Sequence, residues 1–384
     1  MRRLAFSCIV LLLAAGGFLY QVRLAEALPS ARAVLPLATG LLFFAVLSTV
    51  FAHGRLRVLM AKPWLHYAIA ASLLAALMVF GRRYRGGLYL PGRINPSEFV
   101  KLFFVMFAAG HLANGRNADG RLSVRTLVVQ AAAFGLLALE IIVVRDFGLL
   151  AQLGLTWAAI VFAASWWWGL AAFVGGGAVA ALVLSHPVGH LAVRMAVWRD
   201  PFADATGSGW QTLQGLAALV SGGWFGKGMG LGEVHAVPIV SSDFVYVALG
   251  EEFGFVGCSI VLILWLILLV FPLFSRLSNQ GDSPRENGDS PRKNGDSPRK
   301  NGDSPREKGD SPRKNGDSPR EGMGICLLSV GLVASLGCQL LLNVAGVLNV
   351  LPMTGITFPL LSQGGSSLVA VLAMCGLLNA AISS

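Results

Sequence analysis

Charge is scarce in this chain. Asp, Glu, Lys and Arg make up 13% of its 384 residues, about half the usual quarter, too little to coat a soluble domain of this length. Hydrophobic residues supply 55% instead, the balance of a polytopic membrane protein. Cysteine is also sparse. The five present, Cys8, Cys258, Cys326, Cys338 and Cys375, all fall in apolar runs with no CxxC pair and no zinc spacing, so no disulfide framework or zinc site is encoded. They act as small apolar residues. A nucleotide site is disfavoured too. Residues 222–230 are glycine-rich and basic, but they lack the Walker spacing of GxxxxGK followed by Ser or Thr, and follow no clear strand.

What the chain does have is apolar runs near the ~20 residues that cross a bilayer. They lie at about 4–22, 33–52, 64–80, 98–114, 125–144, 147–164, 168–185, 248–275, 323–343 and 364–382. The expected fold is therefore an all-α polytopic membrane protein with about ten transmembrane helices and a large outer loop at 186–242 before the eighth. Only Arg145-Asp146 separates the fifth run from the sixth. Arg2-Arg3 before the first run and Ala25-Glu26-Ala27 after it resemble a secretory signal, but the run exceeds the usual ~7–15 residues and Gln21 and Arg23 interrupt it, so it reads as an uncleaved span.

Residues 281–322 are tandem copies of Gly-Asp-Ser-Pro-Arg-x-x. A Gly and a Pro in every seven residues forbid a helix, and no apolar seam exists, so the segment reads as a disordered insert. It divides the membrane domain into a first part at 1–280 and a last pair of spans at 323–384. Its ten Lys/Arg nearly cancel its nine Asp/Glu, so the formal charge of +10 belongs almost wholly to the rest of the chain.

Basic residues in short loops set orientation. Arg2 and Arg3, then Arg55, Arg57 and Lys62, then Arg116, Arg121 and Arg125, then the repeats alternate onto one side, which places both termini in the cytoplasm. The opposite side nevertheless carries Arg82, Arg83, Arg85, Arg93, Arg194, Arg199 and Lys227. Cations there point to an anionic ligand at the outer surface, with headgroup anchoring as the plainer alternative.

Polar clusters interrupt the apolar runs at Asn95-Pro96-Ser97-Glu98, Gly250-Glu251-Glu252 and Gly364-Gly365-Ser366-Ser367. Such groups are costly inside a bilayer and mark function by default. Asp243 stands where the outer loop re-enters apolar sequence, a depth at which a carboxylate is partly desolvated yet reaches water, so its pKa can be tuned for a general base; capping the following helix is the alternative. Adjacent Glu251 and Glu252 cannot point the same way on a helix, and each suits either a cleft or an ion pair. Glu98 opens a helix, capped by Asn95 or Ser97, and serves the helix dipole or a polar cleft. Residues 343–367, with Pro352, Gly355 and Pro359, read as broken helix and re-entrant loop, tolerated only inside protein or along a cavity.

Taken in order, these segments resemble the SEDS family of shape, elongation, division and sporulation proteins, which includes RodA, FtsW and SpoVE. Arg85 to Lys101 is similar to that family's R…QPSE…K segment, Arg145-Asp146-Phe147-Gly148 to its PDLG, and Arg194 to Pro201 to its R…DP. Residues 209–214, with Gln211, are similar to GYQxxQ, residues 221–230 to SGGxxGKGxG, and residues 243–254 to DFxxxxxGEExG. Asn343 to Ser367 resembles the stretch from LPxTG to GGSS. Each motif is weak alone; the ordered series is specific, and it covers most of the chain outside the repeats. Three departures stand out. Ile239-Val240-Ser241-Ser242 replaces Glu-Ala-His-Thr, Arg145 replaces the PDLG proline, and Gly86 replaces a common Trp.

The resemblance implies a peptidoglycan glycosyltransferase of the bacterial cytoplasmic membrane that polymerises lipid II, in an elongation or division complex with a class B penicillin-binding protein and without nucleic acid. Asp243 would be the catalytic base. Arg85, Arg93, Glu98, Lys101, Arg194, Gln211, Lys227, Glu251, Glu252, Ser366 and Ser367 are the candidates for substrate binding. Of these, Arg85, Arg93, Arg194 and Lys227 suit the pyrophosphate, with a magnesium or manganese ion as a further candidate and no other cofactor expected. Thr354, where division members often carry Lys, favours an elongation role. A lipid flippase and a non-catalytic scaffold for the penicillin-binding partner remain the alternatives.

Overall fold

The structure is a computed structural model that describes residues 1–25, 31–52, 55–84, 87–92, 94–117, 121–185, 189–233, 240–281 and 319–382. Each of the apolar runs read from the sequence falls on a helix: α1 Arg2–Leu24, α2 Ala31–Val50, α4 Pro63–Phe80, α5 Ser97–Asn114, α6 Val124–Val144, α7 Phe147–Ala164, α8 Trp166–Ser185, α11 Val245–Gly281, α12 Pro319–Val347 and α13 Gly365–Ala381. Six are long and apolar enough to cross a membrane by length and composition, and two more apolar stretches, Val34–Val50 and Gly365–Ala381, are shorter. The protein is a multi-pass, mostly helical membrane protein. The heart of the repeat insert lies outside the described residues, between α11 and α12.

Two regions are richer than the sequence suggested. A two-stranded antiparallel hairpin, β1 Arg82–Tyr84 with β2 Gly87–Tyr89, follows α4. The expected outer loop holds helices α9 His190–Arg199 and α10 Trp210–Gly222 with a 3-10 turn at Pro201–Asp204 between them. A short helix, α3 Leu56–Met60, links α2 to α4.

Lipid tails are as apolar as Leu, so helices in a membrane associate through close packing and hydrogen bonds. The pair α2 and α13 shows the first. A methyl group added at Gly376 would sit 2.9 Å from the Phe44 carbonyl oxygen, so only glycine lets these backbones approach this closely. At the centre, α12 packs against α5 and α7, while Val128, Leu136, Leu139 and Val143 on α6 stay exposed toward lipid.

One end of the bundle is closed by arginines. Arg2 Nη1 donates to the Ser275 carbonyl at 3.0 Å, Arg116 Nη2 to the Ala164 carbonyl at 2.7 Å, and Arg3 Nη2 to the Ser48 carbonyl. The Ser48 and Ala164 carbonyls lie in the last turns of α2 and α7, where carbonyls lack intrahelical partners and carry partial negative charge, so a guanidinium both satisfies and neutralises them, whereas Ser275 lies within α11. The opposite end carries the polar connections described next.

Candidate active site

Residues from the connections that the charge alternation places together close around a cavity of about 290 Å³. Its walls come from the hairpin and the start of α5, the turn between α6 and α7, Arg194 on α9, the 242–243 segment, and the 354–367 loop. Two of the three polar clusters meet here. Asn95 Oδ1 accepts from the Ser97 N–H at 3.1 Å and the Ser97 hydroxyl at 2.7 Å, while its own N–H donates to Ser366 Oγ at 2.9 Å. The first turn of α5 is thereby tied to the first turn of α13; the cap position itself falls on Pro96, and Asn95, one residue earlier, supplies the oxygen that meets the Ser97 N–H.

Behind this rim lies a buried polar relay. Lys101 is 2% exposed; its ammonium donates to Glu98 Oε2 at 2.5 Å and to Gln339 Oε1 at 3.0 Å. Gln339 in turn donates to Ser367 Oγ at 3.1 Å and the Thr357 carbonyl at 3.2 Å, and the Thr357 hydroxyl donates to Ser367 Oγ at 2.8 Å. A cation so deep is tolerable only when paired and hydrogen-bonded, so Lys101 fixes Glu98 and the α12–α13 contact in place. Asp146 caps α7 through the Leu149 N–H at 2.9 Å and accepts from Ser97 Oγ at 3.4 Å. Burial raises its pKa above the ordinary carboxylate value, and nearby Glu98 adds to this.

Asp243 lines the cavity just ahead of α11, whose cap position falls on Phe244 rather than on Asp243 itself. Its backbone is held from several sides. The Ser241 carbonyl accepts from Gln21 Nε2 at 3.0 Å and the Gln363 N–H at 2.8 Å, the Ser242 carbonyl from the Ser362 hydroxyl at 2.6 Å, and the Asp243 carbonyl from Asn343 Nδ2 at 3.0 Å. Stacking of Tyr246 on Phe358, with ring centroids 5.7 Å apart, adds apolar support. Burial pushes the Asp243 pKa up to about 6, aided by Glu98, while the Ser242 hydrogen bond and the Arg194 charge pull it down.

Arg194 approaches from α9. Its Nη1 donates to the Met353 carbonyl at 3.1 Å. One turn later on the same face, Trp198 Nε1 donates to the Val350 carbonyl at 3.1 Å and the Trp198 carbonyl accepts from Asn349 at 3.2 Å. A point where a Cβ of residue 355 would stand lies 3.7 Å from Arg194 Nη2 and 3.9 Å from Asp243 Oδ2. Carboxylate and guanidinium therefore flank Gly355, which at φ 76° adopts a conformation suited to glycine.

The third cluster lies elsewhere. Glu251 Oε1 pairs with Lys227 Nζ at 2.7 Å, and Glu252 Oε1 with Arg23 Nη2 at 2.6 Å. Neither carboxylate nor Lys227 lines the cavity. They fasten the glycine-rich loop to α11, where the Lys227 N–H donates to the Glu251 carbonyl at 2.9 Å and the Gly228 N–H to the Glu252 carbonyl at 3.0 Å. At Gly254, with φ 67°, α11 kinks and the loop backbone comes so near that a Cβ would lie 2.4 Å from the Gly226 nitrogen. Gln211, half-buried on α10, also lies outside the lining, whereas Arg85 and Arg93 fall outside the described residues.

Glu98, Arg194, Asp243, Ser366 and Ser367 are thus brought together at one cavity, with Lys101 behind it. Sequence reading placed Arg145 and Asp146 in a family-like motif without giving them a role in the site, and passed over Thr357 and Gln339. A signal existed for the last: Gln339 and Asn343, one turn apart, place amides on one face of an otherwise apolar span. Among the described residues no three His, Cys, Asp or Glu side chains gather as metal ligands.

A family model for the cell cycle proteins FtsW, RodA and SpoVE matches residues 4–282 and 322–384. The chain belongs to this family. The unmatched interval coincides with the repeats. The chain is 31% identical to the peptidoglycan glycosyltransferase RodA of Mycobacterium tuberculosis over 297 residues, which are 73% of this chain and 54% of that protein. It therefore spans about half the length of that relative. It is 26% identical over 349 residues to a probable peptidoglycan glycosyltransferase FtsW of Aeromonas salmonicida, covering 87% of this chain and 78% of that one. In fold it resembles a chain of a peptidoglycan synthase complex that coordinates polymerization and crosslinking, with a TM-score of 0.69 at 24% identity over 98% of this chain and 96% of that one. RodA of Thermus thermophilus aligns with a TM-score of 0.60 at 22% identity, over 98% and 95%.

Proposed function

We propose that the protein is an inverting peptidoglycan glycosyltransferase that polymerises lipid II at the outer face of the bacterial cytoplasmic membrane, with both termini in the cytoplasm. The observation that carries this reading is Asp243, whose carboxylate with a pKa of about 6 faces Arg194 across Gly355 in the cavity between the hairpin, the α6–α7 turn and the 354–367 loop. Family membership and relatives named as peptidoglycan glycosyltransferases support it. In the reaction, Asp243 takes the proton from the GlcNAc 4-hydroxyl as that oxygen attacks the MurNAc anomeric carbon. A carbon–oxygen bond forms on one face, and the bond to phosphate breaks on the other. The lipid diphosphate leaves, its charge met by Arg194, a cation held in place where negative charge develops. A class B penicillin-binding protein is the proposed partner, as suggested by the likeness to a chain of a synthase complex, and the similarity to RodA together with Thr354 favours an elongation role.

The test is polymerisation of purified lipid II by the protein reconstituted with its partner. Asp243→Asn keeps size and hydrogen-bonding capacity, and should accumulate normally while losing at least ~100-fold in rate, the lower end for a positioned general base. Full activity in that variant overturns the assignment. Translocation of the headgroup without polymer would instead support lipid transport.

A further inference from the structure

The turn between α6 and α7 consists of two residues, Arg145 and Asp146, both facing the cavity. Arg145 occupies the C-cap of α6 at φ 65° and ψ 31°, with its N–H on the Ile141 and Ile142 carbonyls. That left-handed conformation belongs mostly to Gly and Asn. An arginine kept there sends a long cationic side chain from a backbone position where a plain helix stop needs none, and a residue held in a disfavoured conformation at a cleft suggests a role.

Among the described residues, the other cations at or behind the cavity are engaged. Arg194 donates to the Met353 carbonyl, and Lys101 to Glu98 and Gln339. Asp146, the neighbour of Arg145, uses its carboxylate on the Leu149 N–H and the Ser97 hydroxyl. The Arg145 side chain is exposed at the cavity and makes no hydrogen bond or ion pair with another described residue. Its planar guanidinium offers donors in a fork that suits two phosphate oxygens at once.

We propose that Arg145 binds the diphosphate of the lipid-linked donor, as a second cation on the cavity wall beside Arg194. This rests on the polymerase reading of the cavity. The alternative, that Arg145 only complements the dipole at the end of α6, makes different demands on the experiment.

Two measurements on the full-length protein decide it. In polymerisation with its partner, Arg145→Gly should raise KM for lipid II on the order of tenfold, the scale of one charge-assisted hydrogen bond, with a smaller change in kcat. Arg145→Lys should fall between. The glycine variant should melt no lower than the parent, because it relieves the left-handed strain. Separately, binding of undecaprenyl diphosphate and undecaprenyl monophosphate is compared in the parent and in Arg145→Gly. The parent should prefer the diphosphate, and the variant should lose most of that preference. An unchanged KM together with an unchanged preference overturns the proposal, as does a parent with no preference. Binding needs no turnover, so a parent that binds the diphosphate but makes no polymer would sink the polymerase reading and leave Arg145 to be judged by the two ligands.

Discussion

The side-chain amide of Asn343 donates to the backbone carbonyl of Asp243 at 3.0 Å and to that of Ile356 at 2.6 Å. A fully buried residue on α12 therefore joins the segment that carries the carboxylate to the loop that forms the opposite wall. One turn earlier, Gln339 on the same face ties Lys101 to Ser367. This face of α12 acts as the common support of the cavity, holding its parts at fixed separations from within the bundle.

Replacing Asn343 by Leu should strip a donor from the buried Ile356 carbonyl, at about 1–3 kcal/mol for a buried group left unsatisfied, and from the part-buried Asp243 carbonyl. The expected outcome is a lower unfolding midpoint in detergent together with a polymerisation rate reduced by more than the loss of folded protein explains. Unaltered melting and unaltered rate would show that the segments around Asp243 hold themselves.

The pH dependence follows from the base. With a pKa of about 6, Asp243 is protonated and inactive below that value and ionised above it, so kcat/KM should rise with pH and level off above about 7. Arg194 favours the ionised form. Arg194→Ala should therefore shift the acidic limb upward in pH, in addition to weakening substrate use. A limb that moves downward, or stays in place, would separate Arg194 from Asp243.

Glu252 and Arg23 are read as a lock between α1 and α11. Glu252→Ala leaves Arg23 without its partner, and breaking a buried pair in this way costs ~3–5 kcal/mol. Its midpoint should fall sharply, and the double variant Arg23→Met with Glu252→Met should recover much of the loss, with KM for lipid II near the parental value throughout. A large KM change in stable protein would return Glu252 to the substrate site.

Deleting residues 282–318 should leave polymerisation nearly unchanged at equal protein amount. The segment carries little net charge, the family match omits it, and loop closure changes by only ~0.6 kcal/mol per doubling of length. Collapse of activity in liposomes would show that the repeats hold α11 against α12 or recruit an activator.

Much of this protein is determined by local sequence. Apolar runs of bilayer length place the helices, since backbone polar groups in lipid must be satisfied within the segment. Alternating arginines give the loops an expected sidedness, and the glycines and prolines of 343–367 mark a broken path along a cavity. Asp243 and Glu98 were legible because a carboxylate at the edge of an apolar run is costly and therefore conspicuous. Tertiary structure alone decided which groups each carboxylate meets. Glu251 and Glu252 suit a cleft and an ion pair equally well in sequence, and Lys227 and Arg23, distant in the chain, make them ion pairs. Arg145 looks like part of a bare turn until its left-handed backbone and the residues around the cavity are seen together. Helix periodicity is local, whereas the partner of a charge is set by packing between remote segments, which a single chain read in order does not contain.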